Sequence, residues 1–186
     1  MVKIDATEIE KVTLNKSLYK SDRPDWNTPD SVMEIVYQLF PEGVDLDPCS
    51  NPGSVVKSRK SFDGIDGNCG LAAEWTGSVY VNPPYGRAIN LWIEKCASHR
   101  NDAEILALLP ARTDTKWFNC AADSCAAICF IRGRIRFLGA NASAPFPSCF
   151  VYWGENKTRF CGLMNPHGQV FEKVKYYDPR KIQSTV

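Results

Sequence analysis

Along WNTPDSVMEIVYQLF the apolar positions Val32, Ile35, Val36 and Leu39 recur at the three-and-four spacing of a helix. Thr28 stands ahead of them as a cap and Pro29 as a first helical residue, so the pattern predicts a helix over about 29–40. Past a Pro-Glu-Gly break, VDLD reads as a short strand running into PCSNPGS, a loop of turn formers. A polar, Gly-rich stretch, SFDGIDGNCGLAAEW, leads to a second strand at 79–81. Ile89, Trp92, Ile93 and Cys96 return to helical spacing, and EILALL at 104–109, apolar after its first residue, reads as a strand buried on both faces. A short helix around TDTKWFNCAA and a strand in AAICFI repeat the alternation, and RIRFL and SCFVYW add strand-like runs between Gly, Ser and Pro. Strand, helix, strand in succession implies right-handed parallel crossovers. The expected architecture is therefore α/β: a mostly parallel sheet, helices on both faces, and an antiparallel edge near the C-terminus. Residues 1–20 show no sustained period and read as an arm, leaving 21–186 as a single domain.

Composition narrows the partners. Of 186 residues, 44% are hydrophobic and 23% charged, ordinary for a soluble globular domain. No apolar run is long enough to span a bilayer and the N-terminus lacks a signal core, so the expectation is a cytoplasmic protein with no membrane partner. Twenty-two Lys and Arg against twenty-one Asp and Glu leave +1, so any nucleic-acid contact must be local. The eight cysteines contain no C-x-x-C pair and the two histidines do not fall at zinc-finger spacing; the reading is free core thiols and no metal.

Two loops stand at the carboxyl ends of strands, where open α/β sheets bind ligands. In DPCSNPG, Asp47 offers a carboxylate, and the small or turn-forming residues after it let backbone approach a bound molecule; the plainer alternative is a helix cap or surface turn. The second loop, VNPPYG, is more specific: Asn, Asp or Ser before two prolines and an aromatic arises by chance in roughly one chain of this length in a hundred. Neither proline donates to a ladder, so the strand stops, and Asn82, Pro83 and Pro84 form a stiff segment. Asn82 offers an amide oxygen and Pro83 a carbonyl of fixed direction, two acceptors converging on one point. Tyr85 adds a ring on which a planar base stacks. The loop suits a planar molecule that carries an NH2 group.

Together WNTP, DLDPCSNPG, DG-x-x-GL, VNPPYG, LLPARTDTKWF, RGRIRF and APFPSCFVYW resemble the phage and prophage type of DNA N6-adenine methyltransferase, over about residues 22–155. The resemblance implies a Rossmann-like class I methyltransferase fold, S-adenosyl-L-methionine as cofactor, and double-stranded DNA as partner, with Asn82, Pro83, Pro84 and Tyr85 catalytic. It sets Asp47, with Cys49 and Asn51 of the same loop, in the first cofactor motif, and Thr28 and Pro29 in the N-terminal one beside Trp26. Asp66, preferred to Asp63 for its nearness to the following Gly-Leu, stands where an acid reaches the cofactor's adenine. The family's F-x-G-x-G loop is here C-S-N-P-G, with Asn51 where the first glycine is usual. No segment is long enough for a separate target-recognition domain.

In this reading the adenine flips out of the duplex, its amine donates to Asn82 and the Pro83 carbonyl, and Tyr85 replaces lost stacking. Arg112, Lys116, Arg132, Arg134 and Arg136 are the candidates for the DNA backbone, the alternative being a solvated strand face. Trp26, Trp117 and Phe118 wall the pocket or fill the core. Competing functions keep the loop and change the acceptor to an RNA base or a protein glutamine, or remove catalysis and leave a nucleic-acid-binding module.

Overall fold

The computed structural model describes residues 26–64 and 69–173; the arm expected over 1–20 and Asp66 lie outside them. Within the described residues the chain runs α1 (Asp30–Leu39), β1 (Val44–Asp47), β2 (Ser58–Ser61), β3 (Gly77–Val81), α2 (Ile89–Ser98), β4 (Ala103–Pro110) and α3 (Lys116–Ser124). It continues through β5 (Ala127–Ile131), β6 (Ser148–Trp153), α4 (Lys157–Met164) and β7 (Gly168–Glu172). The strands form one sheet in the order β2-β1-β3-β4-β6-β5-β7.

The first four are mutually parallel, with Leu46 level with Val79 and Val81 level with Ala107. β6 is antiparallel to both β4 and β5, and β7 is an antiparallel edge. The expected mixed sheet is observed, except that its first antiparallel strand lies inside it. β6 buries every residue and β4 all but Glu104, as strands covered on both faces must.

Helices cover both faces. α1 turns Val32, Met33, Val36 and Leu39 inward, and with Phe160 and Met164 of α4 they pack on Tyr80, Leu106, Leu108, Phe150 and Tyr152. On the other face Ile89, Trp92, Ile93 and Cys96 of α2 and Phe118 and Ala121 of α3 cover Val79, Val81, Ile105, Ala107 and Val151. None of the eight cysteines forms a disulfide; Cys49, Cys120 and Cys161 are only half-buried, while the other five belong to the core.

Three expectations change. Pro29 is the N-cap of α1 rather than its first helical residue, and Thr28 does not cap: its hydroxyl is turned inward and bonded to Tyr80 instead. RIRFL alternates in burial, with Ile135 and Phe137 inside, yet makes no ladder; among the described residues its β-pairing is a single bridge from Leu138 to Asn27. Phe118 is core under α3, and Trp117 packs against it at 5.7 Å between ring centroids.

Candidate active site

β1 lies between β2 and β3, so the chain leaves it to one side and returns on the other. The carboxyl ends of β1 and β3 flank that reversal, the position at which open α/β sheets hold ligands. From the register, Asp47 is level with Tyr80 and Asn82 stands two residues farther along its strand. Adjacent strands offset by two residues separate the two Cα atoms by roughly 8 Å.

Asn82 is oriented by its neighbours. Its Nδ2 donates to the Trp26 carbonyl at 2.7 Å and lies 3.1 Å from Thr28 Oγ1. A carbonyl only accepts, so the amide nitrogen must face Trp26 and the amide oxygen must point away. Thr28, 3% exposed, is itself fixed by Tyr80 Oη at 2.8 Å. Asn82 Oδ1 is buried and has no hydrogen-bond partner among the described residues. Leaving such an acceptor unpaired costs about 1–3 kcal/mol, so the arrangement suits a donor that the described residues do not supply. Pro83, buried beside it, continues the stiff loop, and the Pro84 carbonyl closes the turn by accepting from Gly86 N at 2.9 Å.

The loop after β1 is held by its own side chains. Asp47 Oδ1 accepts from Cys49 N at 3.1 Å, and Asn51 Oδ1 from Gly53 N at 2.9 Å, two turns of the Asx type in succession. Asn51 Nδ2 donates to Asn27 Oδ1 at 2.7 Å, and Leu138 N to the Asn27 carbonyl at 2.9 Å, so the segment before α1 is tied to this loop. Asn51 thus anchors where a glycine gives only freedom. The turn-forming alternative for Asp47 is half realised: one oxygen closes the turn, while Oδ2 has a long 3.5 Å contact with Ser54 Oγ. Burial pushes the Asp47 carboxyl up to about 6, against the Cys49 N–H and the hydroxyls of Ser50 and Ser54, which favour its charge. Burial raises the Cys49 thiol, and the neighbouring Asp47 carboxylate raises it further, which favours the protonated thiol. Asp63, at the end of the described part of its loop, is exposed.

An aromatic group surrounds Tyr85. Its hydroxyl donates to the Leu108 carbonyl at 3.1 Å, which fixes the ring's direction. Phe146 meets Tyr85 edge-on at 5.5 Å and Trp26 at 5.3 Å, and Phe137 meets the same two rings at 6.3 and 5.2 Å. The half-buried Trp26 therefore belongs to this aromatic group, whereas Phe118 is core and the half-buried Trp117 packs against it. Phe137 and Phe146 escaped the reading of the sequence; the only signals were the alternation in RIRF and an aromatic between two prolines in APFPS.

The five basic candidates are all exposed. Arg112 follows the carboxyl end of β4, and Lys116 opens α3 beyond it. Arg132, Arg134 and Arg136 follow the carboxyl end of β5, which runs in the same direction as β4 because both oppose β6. Topology thus gathers them at the end of the sheet that holds Asn82 and Asp47. Arg136 Nε donates to the Ala140 carbonyl at 3.3 Å, a bond within its own loop. Among the described residues no helix is long and apolar enough to cross a membrane.

No curated protein matches the chain. A family model does, over residues 15–160, which include both loops, Thr28, the aromatic group and the basic residues. The chain belongs to the DNA N-6-adenine-methyltransferase (Dam) family.

Proposed function

We propose that this protein transfers a methyl group from S-adenosylmethionine to the exocyclic amine of an adenine turned out of double-stranded DNA, on a Rossmann-like class I methyltransferase fold. The observation that carries the reading is the Asn82 amide oxygen, buried and without a hydrogen-bond partner among the described residues while its nitrogen is anchored. An amine is the donor that suits it, and family membership names the amine.

The residues fit the cofactor. The buried Asp47 carboxylate keeps one weakly engaged oxygen for hydroxyl or ammonium donors, and the loop from Cys49 to Asn51 is fixed beside it. Trp26, Thr28 and Pro29 border the same reversal of the sheet, and Asp66 is assigned to the cofactor's adenine. When bound, S-adenosylmethionine supplies an electrophilic methyl group on a sulfonium. Asn82 Oδ1 and the Pro83 carbonyl accept the two hydrogens of the adenine amine, so positive charge developing on nitrogen meets dipoles already in place. Thr28 and the Trp26 carbonyl keep Asn82 from rotating its nitrogen into that position. Tyr85, its direction fixed from Leu108, stacks on the flipped base, offsetting the few kcal/mol that unstacking costs. Arg112, Lys116, Arg132, Arg134 and Arg136 hold the flanking phosphates.

Parallel assays of methyl transfer to DNA, RNA and protein test the substrate class, with transfer to adenine in DNA expected. Single-turnover rates test the site. Asn82→Ala removes the acceptor and should slow transfer by roughly 10²-fold or more while cofactor binding survives. Asn82→Asp keeps an acceptor but sets a second one against the Trp26 carbonyl, so it should fall between the parent and Ala. An Ala variant at the parent rate, or Asp no better than Ala in folded, cofactor-binding protein, would remove Asn82 from the role.

A further inference from the structure

Among the described residues, two buried side-chain oxygens lack hydrogen-bond partners: Asn82 Oδ1 and Ser148 Oγ. Ser148, 1% exposed, opens β6 opposite Pro110, the last residue of β4. Val81 is level with Ala107 in β4, so Ser148 lies at the same carboxyl end of the sheet as Asn82, two strand spacings away and about two residues farther on. Two spacings amount to about 10 Å.

Alternation sets its direction. Along β6, Phe150 and Tyr152 enter the core under α1 and α4, while Cys149, Val151 and Trp153 enter the other. Ser148 shares the side of Phe150. Asn82 shares the side of Tyr80, which belongs to that same core and reaches Thr28. The Tyr85 phenol crosses between them to the Leu108 carbonyl, in the residue paired with Phe150. Phe146, two residues before Ser148, touches the rings of Tyr85 and Trp26. The hydroxyl therefore lies on the same face and at the same end of the sheet as Asn82, with β4 between them.

We propose that Ser148 is a positioning residue for the base: its hydroxyl donates to a ring nitrogen flanking the adenine amine, so the flipped ring is held at its amine by Asn82 and Pro83 and at the neighbouring nitrogen by Ser148. The inference rests on the adenine reading above and adds a contact to it. A hydroxyl that donates leaves the bond order of the base unchanged; it fixes the ring's rotation in the plane of Tyr85, which aligns the amine with the methyl donor. A serine kept only for packing has no use for a buried hydroxyl without a partner, because alanine fills the same space without that penalty.

The test uses the full-length protein, duplex DNA and S-adenosylmethionine. The methylated adenine is first mapped by modification-sensitive sequencing, then replaced in synthetic duplexes by 1-deazaadenine or 7-deazaadenine. On adenine, Ser148→Ala should lower kcat/KM roughly tenfold, the effect of one neutral hydrogen bond near its upper range, with Ser148→Thr retaining most of the rate. On the analogue that lacks the partner nitrogen, parent and Ser148→Ala should run at equal rates. Thermal unfolding of Ser148→Ala should occur at or above the parent temperature. Equal rates on adenine, the same fold-loss on adenine and both analogues, or an Ala variant that melts below the parent and is no slower once folded would each overturn the proposal. A parent that methylates DNA alongside an unaffected Ser148→Ala defeats this inference alone; a parent inactive on adenine in DNA defeats the adenine reading beneath it.

Discussion

Asp47 and Thr28 show how much a single side chain's surroundings decide. Asp47 has a folded-state carboxyl raised to about 6 from an ordinary 3.8, so the folded protein binds a proton that the unfolded chain does not between those values. Stability then falls as pH rises from about 4 to 6, and above that the cost of the buried charge is fully present. Asp47→Asn should therefore stabilise the protein at pH 7, by at most about 3 kcal/mol, with the gain vanishing near pH 4; urea unfolding at the two pH values measures it. Cofactor affinity should move the opposite way. If the ionised carboxylate accepts from S-adenosylmethionine, calorimetry should show affinity falling as pH drops through about 6 in the parent and flat in Asp47→Asn. A flat parent profile removes Asp47 from the cofactor. The Asn82 loop was legible because two prolines after a strand and before a helix are rare enough to demand a reason. Thr28 was misread because a hydroxyl ahead of a helix has one local signature and two possible partners, and the one it uses, Tyr80, lies 52 residues away.

The elements divide by how much apolar surface they bury. α1, α2, β4 and β6 announced themselves because their inward positions are continuous or periodic. β2 is SRKS, a polar edge strand with no hydrophobic signal, held by its ladder to β1 and by Arg59 against Asp45 at 3.0 Å. β7 is the opposite edge and α4 buries only Phe160 and Met164, too little pattern to read. RIRFL had the alternation without a neighbour to pair with. At the same scale, the loop after β1 depends on Gly70: a Cβ there would come within 2.1 Å of the Pro48 carbonyl oxygen, a backbone atom, while the Gly70 carbonyl accepts from Trp75 Nε1 at 2.9 Å. Gly70→Ala must move the loop and should cost about 1–3 kcal/mol, with weaker cofactor binding. Gly86→Ala, where a Cβ meets nothing within 4 Å, is the control and should leave stability nearly unchanged. Thermal melts and calorimetry on the pair check both statements; equal behaviour would mean the loop tolerates displacement.

Across the whole molecule, a net charge of +1 gives no long-range attraction to DNA, and the proposed binding relies on the basic residues gathered at one end of the sheet. Arg134→Glu should weaken DNA binding most at low salt and flatten the slope of log affinity against log salt by about one phosphate contact; binding measured over roughly 50–200 mM salt tests this. An unchanged slope would place the phosphates elsewhere. The common direction of β4 and β5 was legible as a strand-helix-strand crossover; hidden was the antiparallel strand seated between them. That strand, β6, is made after both of its neighbours. Until residues 148–153 arrive, β4 and β5 each hold an open, apolar edge with no correct partner in the growing chain, and sequential assembly of strand and helix units cannot close the sheet. The hazard for this protein lies in its synthesis and refolding, when two bare edges invite pairing with other chains, and it disappears once β6 is seated.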